Sequence, residues 1–377
     1  MKKRSSHFRV LTAAMLFFAL TFLLPAAAGG DSRLYLLAAA VPAVMLFYDL
    51  IPVRVFSLDR PALCMAMILC AFGILAPAAS DPNAALVQGM HCAAGLMLLP
   101  AGAVLIRIFR PSFPSALGAG LCGIALLVPP LLYPEFSFPL TEAGLALLLL
   151  SVAAFLSFRI RAAALGIALF GLALLLLQKD LVSAAVWGVA TVLIFWACSG
   201  SALWSGLSLL GAAAGGLCFG LLSRERLQPS ALSSPLSVLS SMGWIGSQSV
   251  PDASASPDPE LSFFLSLGEQ YGLVLLLCVF LLMLLLLFRC SSVSQCARNS
   301  FHASLALGVL LLLGLRMLAV FLSLAGLIPP VAMDLPLLAS SLPVLAGQMF
   351  LLGLLSGVSA RNRADLEEDT HLAMLFR

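Results

Sequence analysis

What most constrains this chain is a repeat of apolar runs, most of them near the ~20 residues an α-helix needs to cross a bilayer. A basic start, MKKRSSHFRV, leads into the stretch LTAAMLFFALTFLLPAAAGG, and further runs recur at about 34–52, 62–79, 84–108, 115–133, 140–158, 162–178, 182–199, 202–222, 261–288, 303–328 and 341–359. Hydrocarbon offers the backbone no water, so such segments fold as helices that satisfy their own N–H and C=O groups. The expected fold class is an all-α polytopic integral membrane protein of about 10–12 transmembrane helices with a long extracytoplasmic loop. Composition agrees, with 62% hydrophobic and 10% charged residues, where soluble domains carry about 25% charge.

The few charges say which ends lie together. Alternate loops hold Arg54 and Arg60, Arg107 and Arg110, Arg159 and Arg161, Arg289 and Arg298, and Arg361 and Arg363. The positive-inside bias puts these loops, and the start with Lys2, Lys3, Arg4 and Arg9, on the cytoplasmic side of the membrane. Arg33, Lys179, Arg224 and Arg226 then fall outside, each beside an acidic residue: Asp31, Asp180 or Glu225. The start also has the plan of a secretory signal, although with so many later spans it reads better as a retained first helix. A net charge of +3, dispersed in short clusters, points to membrane topology and not to nucleic acid. Of nine cysteines, seven lie within apolar runs and Cys290 and Cys296 in a basic loop, so no disulfide framework is expected; His7, His91, His302 and His371 lack metal-ligand spacing.

One polar interruption breaks the pattern. Ser223 to Pro259, rich in Ser, Pro and Asp, separates two spans where other connections are short, and long loops in compact chains are mostly functional or disordered. The run after it, Leu261 to Arg289, reads as one helix with Glu269 roughly 12 Å below its outer end. An ionisable group at that depth is a functional candidate. The chain divides into N-terminal helices over 1–138, a second helical group over 139–222, an extracytoplasmic loop over 223–260, C-terminal helices over 261–359 and a cytoplasmic tail over 360–377. Glu142, Lys179, Asp180, the loop acids and the turn Ile328 to Pro336 all come out on the extracytoplasmic face.

Four outer segments, in order, resemble the shape, elongation, division and sporulation (SEDS) family, the FtsW/RodA/SpoVE proteins. They are PLTEAGLALLLL with Glu142; LLLLQKDLVSAAV with Gln178, Asp180, Leu181, Ser183 and Ala184; SFFLSLGEQYGLV with Gly268, Glu269 and Gly272; and LAGLIPPVAMDLPLL with Gly326, Leu327, Pro329, Leu335 and Pro336. The resemblance covers roughly Pro139 to Ser359, and the five runs before Glu142 exceed by about two the three usual in the family. There are departures. The family's Lys one turn after the Glu falls on Leu145, and its Asp before the Glu269 helix falls on Leu261, with Glu260 adjacent. Its Gln and Asn before the last outer turn fall on Arg316 and Val320, and its Ser-Tyr-Gly-Gly-Ser-Ser stretch is reduced to ASSLP.

The resemblance implies a peptidoglycan glycosyltransferase acting on lipid II: a sugar hydroxyl attacks the anomeric carbon of a polyprenyl-pyrophosphate-linked disaccharide and pyrophosphate leaves. Such chemistry asks for a carboxylate base, and for positive charge or a divalent cation at the departing phosphates. Glu260, with Asp258 nearby, is the candidate base; their alternative is solvated loop charge, with Glu260 favouring its helix N-terminus. Arg224, Arg226 and Lys179 are the cations that would face the pyrophosphate. Glu142, Asp180, Glu269 and Arg316 complete the candidate substrate-binding set, with capping of its own helix as the alternative for Glu142. Glu269 and Arg316 are expected to pair with each other, and Asp180 reads equally as a substrate contact or an N-cap. The implied partners are lipid II, a single-span class B transpeptidase and the bilayer. Two other readings are a non-catalytic scaffold for the transpeptidase and a lipid-linked precursor transporter; the second is weakened by cytoplasmic halves almost free of charge, with Asp49 the nearest candidate.

Overall fold

The computed structural model describes residues 2–29, 31–78, 81–132, 140–222, 243–244, 267–324, 335–339 and 341–375. In chain order the helices are α1 (Lys2–Gly29), α2 (Ser32–Leu50), the short α3 (Pro52–Val55), α4 (Arg60–Ala78), α5 (Pro82–Ile108), α6 (Phe113–Leu127), the short α7 (Pro129–Leu132), α8 (Leu140–Ser157), α9 (Arg161–Leu177), α10 (Leu181–Ser199), α11 (Ala202–Leu222), α12 (Leu273–Gln295), α13 (Ser300–Leu324) and α14 (Leu342–Leu375). Among the described residues, ten helices are long and apolar enough to cross a membrane, and the stretches Arg161–Leu177 and Ala202–Leu217 are shorter apolar helices. The all-helical, multi-pass fold expected from the apolar runs is what forms.

Two compact units arise from this chain. The first comprises Met1–Pro100, Leu232–Arg289 and Met317–Met349. Its central helix is α4, which is apolar on every side and buries Leu63, Ala66, Leu69 and Leu75 almost completely; a helix without a polar face belongs in the interior. Phe17 and Phe18 of α1 meet Phe72 of α4 edge to face, with centroids 6.3 and 5.0 Å away. At the start of α4, Asp59 is 1% exposed and takes a two-pronged bond from Arg289, Nε to Oδ2 at 2.8 Å and Nη2 to Oδ1 at 2.7 Å. Arg60 lies 3.9 Å from Asp49. Arg289 therefore sits beside the Arg60 turn, as the alternation of basic loops requires.

The second unit comprises Ala101–Ala231, Cys290–Arg316 and Phe350–Arg377. Here α6 packs closely on α8, and the Ser151 hydroxyl donates to the Ala116 carbonyl at 2.7 Å. Trp187 of α10, 1% exposed, donates its indole N–H to the Ala168 carbonyl of α9 at 2.9 Å. The glycine-rich stretch of α11 serves helix packing: a Cβ on Gly211 would stand 2.5 Å from a Leu169 methyl. Arg361 donates to the Arg107 carbonyl at 2.9 Å, a cation meeting the open carbonyls at a helix C-terminus. Two basic loops of this unit thus also share an end.

One helix differs from expectation. The stretch from 261 to 289 does not run as a single helix; a helical turn at 267–271 stops at Gly272, whose φ is +89°, and α12 begins at Leu273. Glycine has no Cβ to clash in that left-handed region, so the break falls where the sequence permits it. The Gly272 N–H still bonds Gly268 at 2.8 Å, and the Leu273 N–H donates to the Gly243 carbonyl at 3.1 Å. Apolar character runs across the break, which is why hydropathy alone reads one long span.

Candidate functional site

In the second unit the polar chemistry gathers at Glu142. It occupies the first turn of α8, and Arg316 reaches it from α13, Nη2 donating to Oε1 at 2.5 Å. The side chains are 10% and 2% exposed. A guanidinium stays charged under all ordinary conditions, so one buried among apolar helices requires a carboxylate. This corrects the expected Glu269–Arg316 pair: Arg316 is matched by Glu142. The register after Glu142 holds Leu145, 1% exposed and apolar, so α8 supplies no cation of its own there and α13 brings one. Glu142 Oε2 and Arg316 Nε and Nη1 are buried without a hydrogen-bond partner.

The second matched segment turns out to be mainly architectural. Asp180 is the N-cap of α10, its carboxylate accepting from the Ser183 N–H at 3.1 Å, which favours the capping alternative. Gln178 donates to the Leu127 carbonyl at 2.5 Å and ties the end of α9 to that of α6. Lys179 is exposed and holds a left-handed φ of +63° between them.

In the first unit Glu269 is half-buried in the turn at 267–271, ahead of the Gly272 break and not deep inside a continuous span. Tyr271 in the same turn donates to the Leu75 carbonyl at 3.5 Å, and burial pushes its phenol up to about 12. The turn at 335–339, from the fourth matched segment, is held by two glutamines that the sequence reading passed over. Gln88 of α5 donates to the Ala339 carbonyl at 2.6 Å, and Gln348 of α14 accepts from the Leu337 N–H at 2.6 Å. Leu337 carries a φ of +67°, and strained backbone of this kind persists only where its surroundings fix it. The signal that could have found these residues is a neutral polar side chain in the middle of an apolar run; Gln88 and Gln348 are 4% and 0% exposed.

Glu260, Asp258, Arg224 and Arg226 lie outside the described residues, as do Gly326, Leu327 and Pro329. Among the described residues no group of three or more His, Cys, Asp or Glu side chains is placed to hold a metal ion.

Apolar helices of this number, a buried carboxylate–guanidinium pair between two of them and a broken helix entry define a multi-pass membrane protein with polar chemistry inside the bundle. Residues 254–364, just under a third of the chain, match the model of the FtsW/RodA/SpoVE family, described as cell cycle protein. The fold is that of RodA. The crystal structure of the Thermus thermophilus rod shape determining protein RodA superposes with a TM-score of 0.61 at 21% identity, over 80% of this chain and 97% of that one. An Asp-to-Ala variant of the same protein gives 0.60 at 21% identity, over 80% and 97%. A chain from a peptidoglycan synthase complex, whose structure concerns the coordination of polymerization and crosslinking, gives 0.61 at 20% identity, over 81% and 98%. The family model thus matches the C-terminal part of the chain, and the RodA fold extends over four fifths of it. No curated protein sequence matches the chain significantly.

Proposed function

We propose that this chain is a SEDS-type glycosyltransferase of cell-wall assembly, polymerising lipid II at the outer face of a bacterial plasma membrane with its N-terminus in the cytoplasm. The observation that carries the reading is the family match over 254–364 on a chain with the RodA fold. The similar fold of a chain from a peptidoglycan synthase complex, in which polymerization and crosslinking are coordinated, supports a role of this kind and a crosslinking partner, here a single-span class B transpeptidase.

In this proposal a sugar hydroxyl attacks the anomeric carbon of the lipid-linked disaccharide. The new glycosidic bond forms as the bond to the pyrophosphate oxygen breaks, and the hydroxyl proton passes to a carboxylate. Glu260 is the proposed base, with Asp258 beside it, in place of the Asp whose register holds Leu261. Arg224, Arg226 and Lys179 are the proposed counter-charges for the leaving pyrophosphate, a role that a divalent cation can share. Glu142, Glu269 and Arg316 are proposed to contact the substrate, while Asp180 supports the outer turn as a cap.

The test is polymerisation of labelled lipid II by the purified protein, with and without its transpeptidase, beside Glu260→Gln. Glycan made by the wild type and lost in the variant supports the enzyme and its base. Glycan made equally by both removes Glu260 from the mechanism. A protein that forms the complex but makes no glycan is the scaffold instead, a reading favoured by Leu145 and Leu261 where the family has a Lys and an Asp.

A further inference from the structure

The Glu142–Arg316 pair has valences left over, and their kinds are informative. Arg316 uses Nη2 on Glu142 Oε1, while its Nε and Nη1, and Glu142 Oε2, are buried and unmet. Buried polar atoms are nearly always satisfied in native structures, because each one left open keeps the full cost of its desolvation. The open set is mixed: two donor nitrogens and one acceptor oxygen, around a pair whose charges already cancel.

Charge decides which ligand suits this set. A pyrophosphate offers acceptors only; it would satisfy Arg316 but bring negative charge against Glu142, and a second anion in a buried site is strongly disfavoured. Leu145, on the next turn of α8, is buried and apolar and supplies no further cation to offset it. A sugar hydroxyl or acetamido group both accepts and donates. One such group can accept from Arg316 and a neighbouring one donate to Glu142 with no uncompensated charge. On the proposed lipid-linked substrate, on which this step rests, we infer that the Glu142–Arg316 pair receives the uncharged sugar portion and not the pyrophosphate. The pair is then a specificity element for the saccharide.

The experiment compares two ligands on the full chain in nanodiscs: a polyprenyl pyrophosphate bearing its disaccharide, and the same polyprenyl pyrophosphate without sugar. Wild type is set beside Glu142→Gln, Arg316→Lys and the double variant Glu142→Gln/Arg316→Gln, with thermal melting recorded for each. The double variant leaves no unpaired charge, so it reports on recognition even where a single change impairs folding. The expected result is that wild type prefers the sugar-bearing lipid and that folded variants lose about ten- to hundredfold of that preference, with affinity for the bare pyrophosphate unchanged. Variants that weaken both lipids equally assign the pair to the phosphates and overturn the inference. A preference kept intact in the double variant makes the pair purely structural and also overturns it. A wild type that binds neither lipid defeats the proposed function itself, a result distinct from either.

Discussion

A guanidinium held 2% exposed inside an apolar bundle is tolerable only while its carboxylate is there. Arg316 and Glu142 are separated by 174 positions in the chain, and each offsets the other's buried charge. Removing one member of a buried pair leaves an uncompensated charge and typically costs about 3 to 5 kcal/mol, whereas removing both leaves none. Arg316→Gln and Glu142→Gln should therefore each lower the melting midpoint in detergent, and the double variant should recover much of the loss. A double variant whose loss is the sum of the two single losses would show that the two side chains act separately. Gln348 illustrates the neutral counterpart: its carbonyl holds the Leu337 N–H in a left-handed turn, at no cost in buried charge.

At the scale of elements, close approach of helices decides what sequence can change. A Cβ at Gly102 in α5 would stand 2.5 Å from the Phe350 carbonyl oxygen and 2.9 Å from the Leu354 nitrogen of α14. Both are backbone atoms, which cannot rotate away. Gly102→Ala should thus force the two helices apart and cost about 1 to 3 kcal/mol as overpacking. Gly118→Ala in α6, where nothing lies within 4 Å, should leave the melting midpoint unchanged or raised, because alanine favours helix. The Asp59–Arg289 bond joins α4 to α12 across 230 positions. Arg289 is 32% exposed, so water softens the loss of its partner, and Asp59→Asn should cost about 1.5 to 3 kcal/mol, the range for hydrogen bonds to charged groups. A midpoint unaffected by that change would mean that the junction is held by apolar packing alone.

For the whole molecule, about four fifths of the chain covers nearly all of each RodA-like structure, so roughly one fifth has no counterpart in them. With the proposed topology, an alkaline phosphatase reporter placed within 223–260 should be active and one placed after Arg110 or Arg298 inactive; the reverse pattern would turn the proposed active face to the cytoplasm. Within each unit, the basic ends that the charge alternation groups together do meet, Arg289 beside the Arg60 turn and Arg361 on the Arg107 carbonyl.

The sequence by itself determined the membrane class, the approximate helices and their basic ends, because length, apolarity and charge in each run are local properties that a bilayer reads one segment at a time. It also singled out Glu142, through the resemblance of its segment, and Arg316, as the expected partner of Glu269. Only the tertiary structure decided that they are partners. Their contact depends on which helix faces which, and α8 and α13 are brought together by packing that leaves no trace in the spacing of either. The break at Gly272 and the glutamines behind the 335–339 turn were hidden for the same reason: a glycine or a glutamine in an apolar run gains its role from the neighbour it meets.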